Sequence, residues 1–244
     1  METSTERSAV VLGARNLGGA IAEQLHAHGW RVLAVARSEE SLEGLSSLGI
    51  ETVATDASEP QTLGRVLEQA LDRQEGLDLV VNAVSAARPA RPGSFGGGSL
   101  AEADLDDFRG WASAVSEQGF VFLSEGTKAL RAAGGGGTLI QVTGGSARRA
   151  IPGKGAWAAG AFGLRALTQA AAQELRGEQI HVALLMVDAT IDSPGTVEYT
   201  AGQPPLSLAK MDDIAEAVEY LESQSPHGYT HELTITPSAE TWLP

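Results

Sequence analysis

AVVLGARNLGG, Ala9 to Gly19, joins an unbroken apolar run to a glycine-bearing turn and then to an amphipathic segment. A short apolar run ending in such a turn reads as a buried strand, over Ala9 to Ala14, and the segment behind it as a helix from about Leu17 to His28. The same alternation repeats along the chain. RVLAVAR (Arg31 to Arg37) predicts a second strand, Glu39 to Leu48 a short helix, and Glu51 to Thr55 a third strand. Glu59 to Gln74 carries Leu63, Val66, Leu67, Ala70 and Leu71 at helical spacing, and Leu77 to Ala83 is the fourth strand. After a Pro/Gly-rich loop, ARPARPGSFGGG, read as too long and flexible for core, two helices follow, the second over Asp106 to Ala133 and stopped by Gly134 to Gly137. Strands over Thr138 to Thr143 and Ile180 to Val187, a helix over Asp212 to Ser223 and a last strand over His231 to Pro237 complete the pattern. Strands alternating with helices form βαβ units, so the expected fold is α/β: one doubly wound, Rossmann-like parallel sheet of about seven strands with helices on both faces.

Composition bounds the rest. The chain has 244 residues, 43% hydrophobic and 20% charged, which fits one globular domain over 1–244. A formal charge of −14 argues against nucleic acid or an anionic membrane as partner. There is no cysteine, no membrane-length apolar run and no visible leader, so a cytoplasmic location is the expectation. His26, His28, His181, His227 and His231 show no metal-ligand spacing with carboxylates, and no metal site is expected. Trp111 and Phe120 read as core or helix-packing residues.

From Ala9 to about Pro237 the order of motifs resembles that of the short-chain dehydrogenase/reductase family. The family's first glycine-rich turn is TGxxxGxG; here it is LGARNLGG, Leu12 to Gly19, one residue shorter and without the middle glycine. The resemblance places a dinucleotide's phosphates on Gly13, Arg15, Asn16, Leu17 and Gly18. Arg37 and Ser38 close the second strand where an acidic residue would select NAD, and they suit the 2′-phosphate of NADP. Asp56 and Ala57 match the adenine-contacting pair, although Asp56 or Ser58 capping the Glu59 helix is a second reading, compatible with the first. Asn82 keeps the leading residue of NNAG, while Thr190 and Ile191, in a stretch aligned with PGxxxTP, fall near the carboxamide. The resemblance thus implies a cofactor-binding half, about 8–100, and a degenerate catalytic and oligomerisation half, about 101–244.

GAWAAGAFGLRALTQAAAQEL, Gly155 to Leu175, aligns with the family's catalytic helix, whose pattern is YxxxK. Trp157 stands for the tyrosine and Ala161 for the lysine; Ser116 stands for the asparagine of the long helix and Gly144 for the serine after the fifth strand. An indole N–H gives up no proton near neutral pH, and a methyl group neither holds a ribose hydroxyl nor lowers a neighbour's pKa. Family membership implies an oxidoreductase using NADP, whereas the replaced tetrad excludes its ordinary proton transfer. The alternatives are a non-catalytic NADP(H)-sensing or binding protein and an inactive subunit paired with an active family member.

Ser146 and Lys154 are the polar groups near the vacant positions, Ser146 as an oxyanion donor and Lys154 as a substitute acid or a solvated loop lysine. Arg88, Arg91, Arg148 and Arg149 lie in loops that leave the carboxyl edge of the sheet, where they would hold a small anionic ligand or stay solvated. The small residues of Trp157 to Leu175 let helices approach closely, and in the family this helix and the long one before it build a dimer interface. A homo-oligomer, dimer or tetramer, or a hetero-oligomer with another family member, is the expected assembly.

Overall fold

The computed structural model describes residues 7–84 and 95–240. In chain order the elements are β1 Ser8–Leu12, α1 Leu17–Ala27, β2 Arg31–Ala36, α2 Glu43–Ser47, β3 Glu51–Ala54, α3 Pro60–Gln74 and β4 Leu79–Asn82. They continue with α4 Leu105–Phe108, α5 Ala114–Ala132, β5 Thr138–Gly144, α6 Gly155–Leu175, β6 His181–Val187, β7 Thr190–Asp192, α7 Val197–Thr200, β8 Leu208–Lys210, α8 Met211–Glu222 and β9 Glu232–Ile235. Seven strands form one parallel sheet in the order β3-β2-β1-β4-β5-β6-β9, with the order reversing at β1 and β4 as expected of a doubly wound fold.

Alternate residues of each central strand feed two cores. Val11, Ala34, Val81 and Leu185 meet Ile21, Leu25, Ile214 and Val218 of α1 and α8. Val10, Leu33, Val80 and Leu139 meet Leu63, Leu67, Phe122 and Leu175 of α3, α5 and α6. Burial on both faces explains why these strands read as continuous apolar runs. No helix among the described residues is long and apolar enough to cross a membrane.

Several local expectations need correction. Between the Pro/Gly loop and α4 there is only a turn, with Ala103 N–H donating to Ser99 O, so the first of the two expected helices is absent. The long helix runs from Leu105 to Ala132 as expected, with one local departure from α geometry. Asp104 caps α4 through a reciprocal box with Asp107, and a widened π-type turn at Arg109–Ser113 leads into α5. That turn lies where α6 comes closest, since a Cβ on Gly160 would stand 2.7 Å from Ala112 O and 2.9 Å from Trp111 O. Trp111 is buried as read, but Phe120 points outward at 58% exposure. Asp56 does not cap α3: its carboxylate accepts from Ser58 N–H and Oγ at 3.0 and 2.7 Å, and the helix begins at Pro60 without a side-chain cap. The stretch after β6 holds a small two-stranded sheet of β7 and β8.

At the amino edge of β6, buried His181 stacks on Tyr229 with ring centroids 4.3 Å apart and donates from Nε2 to Thr230 O at 3.0 Å. Its Nδ1 has no partner among the described residues, and burial holds its pKa below the usual histidine value. The unfolded chain therefore binds the extra proton first. The contribution is complete above the unfolded pKa of about 6.5 and is lost as pH falls below it. Denaturant midpoints should fall between pH 7 and 5.5, and His181→Phe, which keeps the ring on Tyr229, should flatten that slope.

Candidate active site at the carboxyl edge

The turn after β1 is shaped by a backbone contact. Gly13 has φ +80°, and a Cβ there would stand 2.7 Å from the carbonyl of Ala83 and the nitrogen of Val84. Only glycine allows β1 and β4 to approach so closely at their ends. Gly13 and Ala14 donate to Val35 O at 2.9 and 3.0 Å, which fixes the turn on β2. The Asn16 side chain makes no cap bond, no acidic residue lies in the first turn of α1, and Gly18 and Gly19 are buried. Leu17 lies at the start of this helix, so the turn presents amide donors and a positive helix end suited to an anion. Arg15 is exposed beside it. Asn16 reaches across to the far loop, where a Cβ on Gly195 would come 2.6 Å from its Nδ2.

Arg37 and Ser38 lie exposed just beyond β2, with Ser38 Oγ 2.7 Å from Ser41 Oγ. The Asp56 carboxyl is held below its ordinary range chiefly by the Ser58 hydroxyl, then by the Ser58 amide, with the charge of Arg37 adding to the effect. Arg37 and Asp56 lie beyond β2 and β3, near enough for the arginine's charge to act on the carboxylate, and Ala57 packs against the core that contains Leu63. Asn82 ties β4 to β5: its Nδ2 donates to Gln141 Oε1 at 2.8 Å, and its Oδ1 accepts from Val84 N–H at 3.2 Å. Thr190 is exposed and Ile191 half-buried in β7, across the crevice from the glycine turn.

Gly144, Trp157, Ala161 and Ser116 lie where β5, α6 and α5 meet. The indole of Trp157 lies over Gly144, where a Cβ would stand 3.3 Å from the ring. Ala161 is completely buried with Ala147, Leu184 and Met186. Ser116 spends its hydroxyl on Ala112 O and Gly160 O at 3.1 and 3.3 Å, joining α5 to α6. Ser146 is buried in a short turn after β5.

The Pro/Gly loop is not wholly outside the packing, which corrects its reading as non-core. Gly96 and Gly97 are buried, and Phe95 stands edge-on to Trp111 and Trp157 at 5.1 and 4.8 Å. Arg88 and Arg91 lie outside the described residues. Arg148 donates to Thr234 Oγ1 at 2.8 Å, while Arg149 pairs with Asp188 at 3.1 Å and with Glu240 at 3.7 Å. Asp188 is a site residue that the sequence reading missed, 7% exposed at the end of β6. Its carboxylate occupies the space a Cβ on Gly145 would need, and its Oδ2 has no partner among the described residues. The available signal was a lone carboxylate directly after the apolar run Val182 to Val187.

Residues 11–233 match the protein family described as enoyl-(acyl carrier protein) reductase. The chain is 26% identical to an uncharacterized oxidoreductase of Staphylococcus aureus (strain USA300), over 97% of this chain and 100% of that one. It is 25% identical to trans-4-hydroxycyclohexanecarboxylate dehydrogenase of Sinomonas cyclohexanicum, over 89% and 86% of the two chains. Among solved structures it resembles an actinorhodin polyketide ketoreductase variant with NADPH, at TM-score 0.78 and 21% identity over 99% and 100% of the two chains. An alcohol dehydrogenase of Thermococcus sibiricus complexed with 5-hydroxy-NADP is similar at TM-score 0.77 and 22% identity, over 98% and 100%. With its sheet order, its glycine turn and a family match running from β1 into β9, the chain belongs to the short-chain dehydrogenase/reductase family.

Proposed function

We propose that this chain is an NADP(H)-dependent oxidoreductase that works without the tyrosine–lysine pair. The observation that carries the reading is the pairing of an anion-ready turn at Gly13 to Gly18 with Arg37 beyond β2. An arginine there, with no carboxylate at the strand end, favours the 2′-phosphate of NADP over a free ribose hydroxyl. The solved neighbours named above, which hold NADPH or a derivative of NADP, support this choice of cofactor. In the proposed complex Gly13, Arg15, Asn16, Leu17 and Gly18 hold the diphosphate, Arg37 and Ser38 the 2′-phosphate, and Asp56 and Ala57 the adenine. Asn82 supports the sheet beneath, and Thr190 and Ile191 border the nicotinamide, which when bound supplies or accepts hydride.

The test is consumption of NADPH against a panel of aryl ketones, diketones and enoyl thioesters. The proposal expects turnover with at least one class. NADPH binding with no turnover on any class would favour the second reading, a non-catalytic NADP(H)-binding protein, which the indole covering Gly144 supports. We also propose self-association through α5 and α6, on the outward-facing Phe120 and Phe162. Sedimentation of wild type and Phe120→Glu checks this, a monomeric variant being the expected result.

A further inference from the structure

Lys154 is held beside the vacated tyrosine position in a way that a solvated lysine would not be. Its ammonium lies 5.2 Å from the ring centre of Phe95 and 5.9 Å from that of Trp157. The backbone around it is held: Gly98 bridges to Lys154, Gly98 N–H donates to Gly153 O at 3.0 Å, and Trp157 N–H donates to Gly96 O at 3.2 Å. A Cβ on Gly96 would stand 2.7 to 2.9 Å from the Cγ, Cα and Cβ of the lysine, so the loop closes on this side chain only because it is glycine. Among the described residues no carboxylate pairs with Lys154, whereas Arg149 is spent on Asp188 and Glu240. The result is an ammonium with unspent protons, fixed over two aromatic rings, next to the place where the family's acid is missing.

We propose that Lys154 is the proton donor of this site, and that its substrate is a carbonyl compound bearing a flat aryl group that stacks on Phe95 and Trp157. The inference rests on the oxidoreductase reading above. The reduced nicotinamide, when bound, would supply hydride to the carbonyl carbon, and the electron pair of the C–O π bond would move to oxygen. That oxygen takes a proton from Lys154 Nζ, giving the alcohol, and the neutral amine recovers its proton from water. Nothing beyond the reduced cofactor and a proton is consumed.

Lysine can give up a proton where arginine cannot, although both hold an oxygen anion, so the two roles separate by substitution. The probes are 9,10-phenanthrenequinone reduced with NADPH, and benzoate bound to the cofactor-free protein and read by tryptophan fluorescence. Lys154→Arg should keep benzoate affinity and KM within about threefold while kcat falls about 100- to 10,000-fold, the span of a lost general acid. Lys154→Gln should lose kcat equally and bind benzoate at least about tenfold more weakly. A kcat in Lys154→Arg within about threefold of wild type would overturn the proposal, as would unchanged benzoate binding in Lys154→Gln. If wild type fails to bind NADPH yet binds benzoate through Lys154, the cofactor reading falls, and proton donation falls with it.

Discussion

Ala161→Lys, which puts a lysine where the sequence aligns with that of the family's YxxxK pattern, is expected to destabilise the protein severely. The Ala161 side chain has no exposed surface and touches Ala147, Leu184 and Met186. A lysine there forces a long stem into packed core, which by itself costs about 1–3 kcal/mol. It also buries an ammonium where the packed neighbours are apolar, and burial of an unpaired charge costs several kcal/mol more unless the group deprotonates. At a conservative total of about 3 kcal/mol, the thermal midpoint of a chain this size falls by about 6–12 °C. A thermal melt checks this directly. An unchanged midpoint would mean that position 161 opens to the crevice.

The second large effect is expected at Gly13. Gly13→Val places a β-branched side chain at φ +80° with its Cβ 2.7 Å from the backbone of Ala83 and Val84. The left-handed backbone costs about 1–3 kcal/mol for a residue with a Cβ, and the strand ends must separate besides. Because Gly13 belongs to the turn that supports α1, NADPH binding should be lost even in the fraction that remains folded. Denaturant unfolding with and without NADPH separates the two effects. A variant that unfolds earlier but is still stabilised by NADPH would place the phosphates away from this turn.

The fold was legible because its strands are buried on both faces. Runs such as AVVL and HVALLMV have no polar side to confuse the period, and helices such as Pro60–Gln74 show a clear apolar stripe. What was not legible depended on distances between remote residues. That Trp157 covers Gly144 follows from how α6 lies against the end of β5, which no spacing reveals. Phe95 sits in a loop whose composition reads as outside the core, and only its contacts with Trp111 and Trp157 make it part of the site. Phe120 was misread because an aromatic on a long helix is usually inward, whereas this one lies on a face the single chain does not cover. The arginines after β5 read as holding an anion or staying solvated, and only the fold shows Arg148 at Thr234 and Arg149 at Asp188 and Glu240.

The most direct measurement is a fluorescence titration of the purified protein with NADPH and NADH, in wild type and in Arg37→Ala. A charged contact to the 2′-phosphate is worth about 1.5–3 kcal/mol, or about ten- to hundredfold in affinity. Wild type should therefore bind NADPH more tightly than NADH by about that factor, and Arg37→Ala should bring the two cofactors together. Equal binding of both by wild type would contradict the assignment of Arg37, and binding of neither would contradict the cofactor site itself.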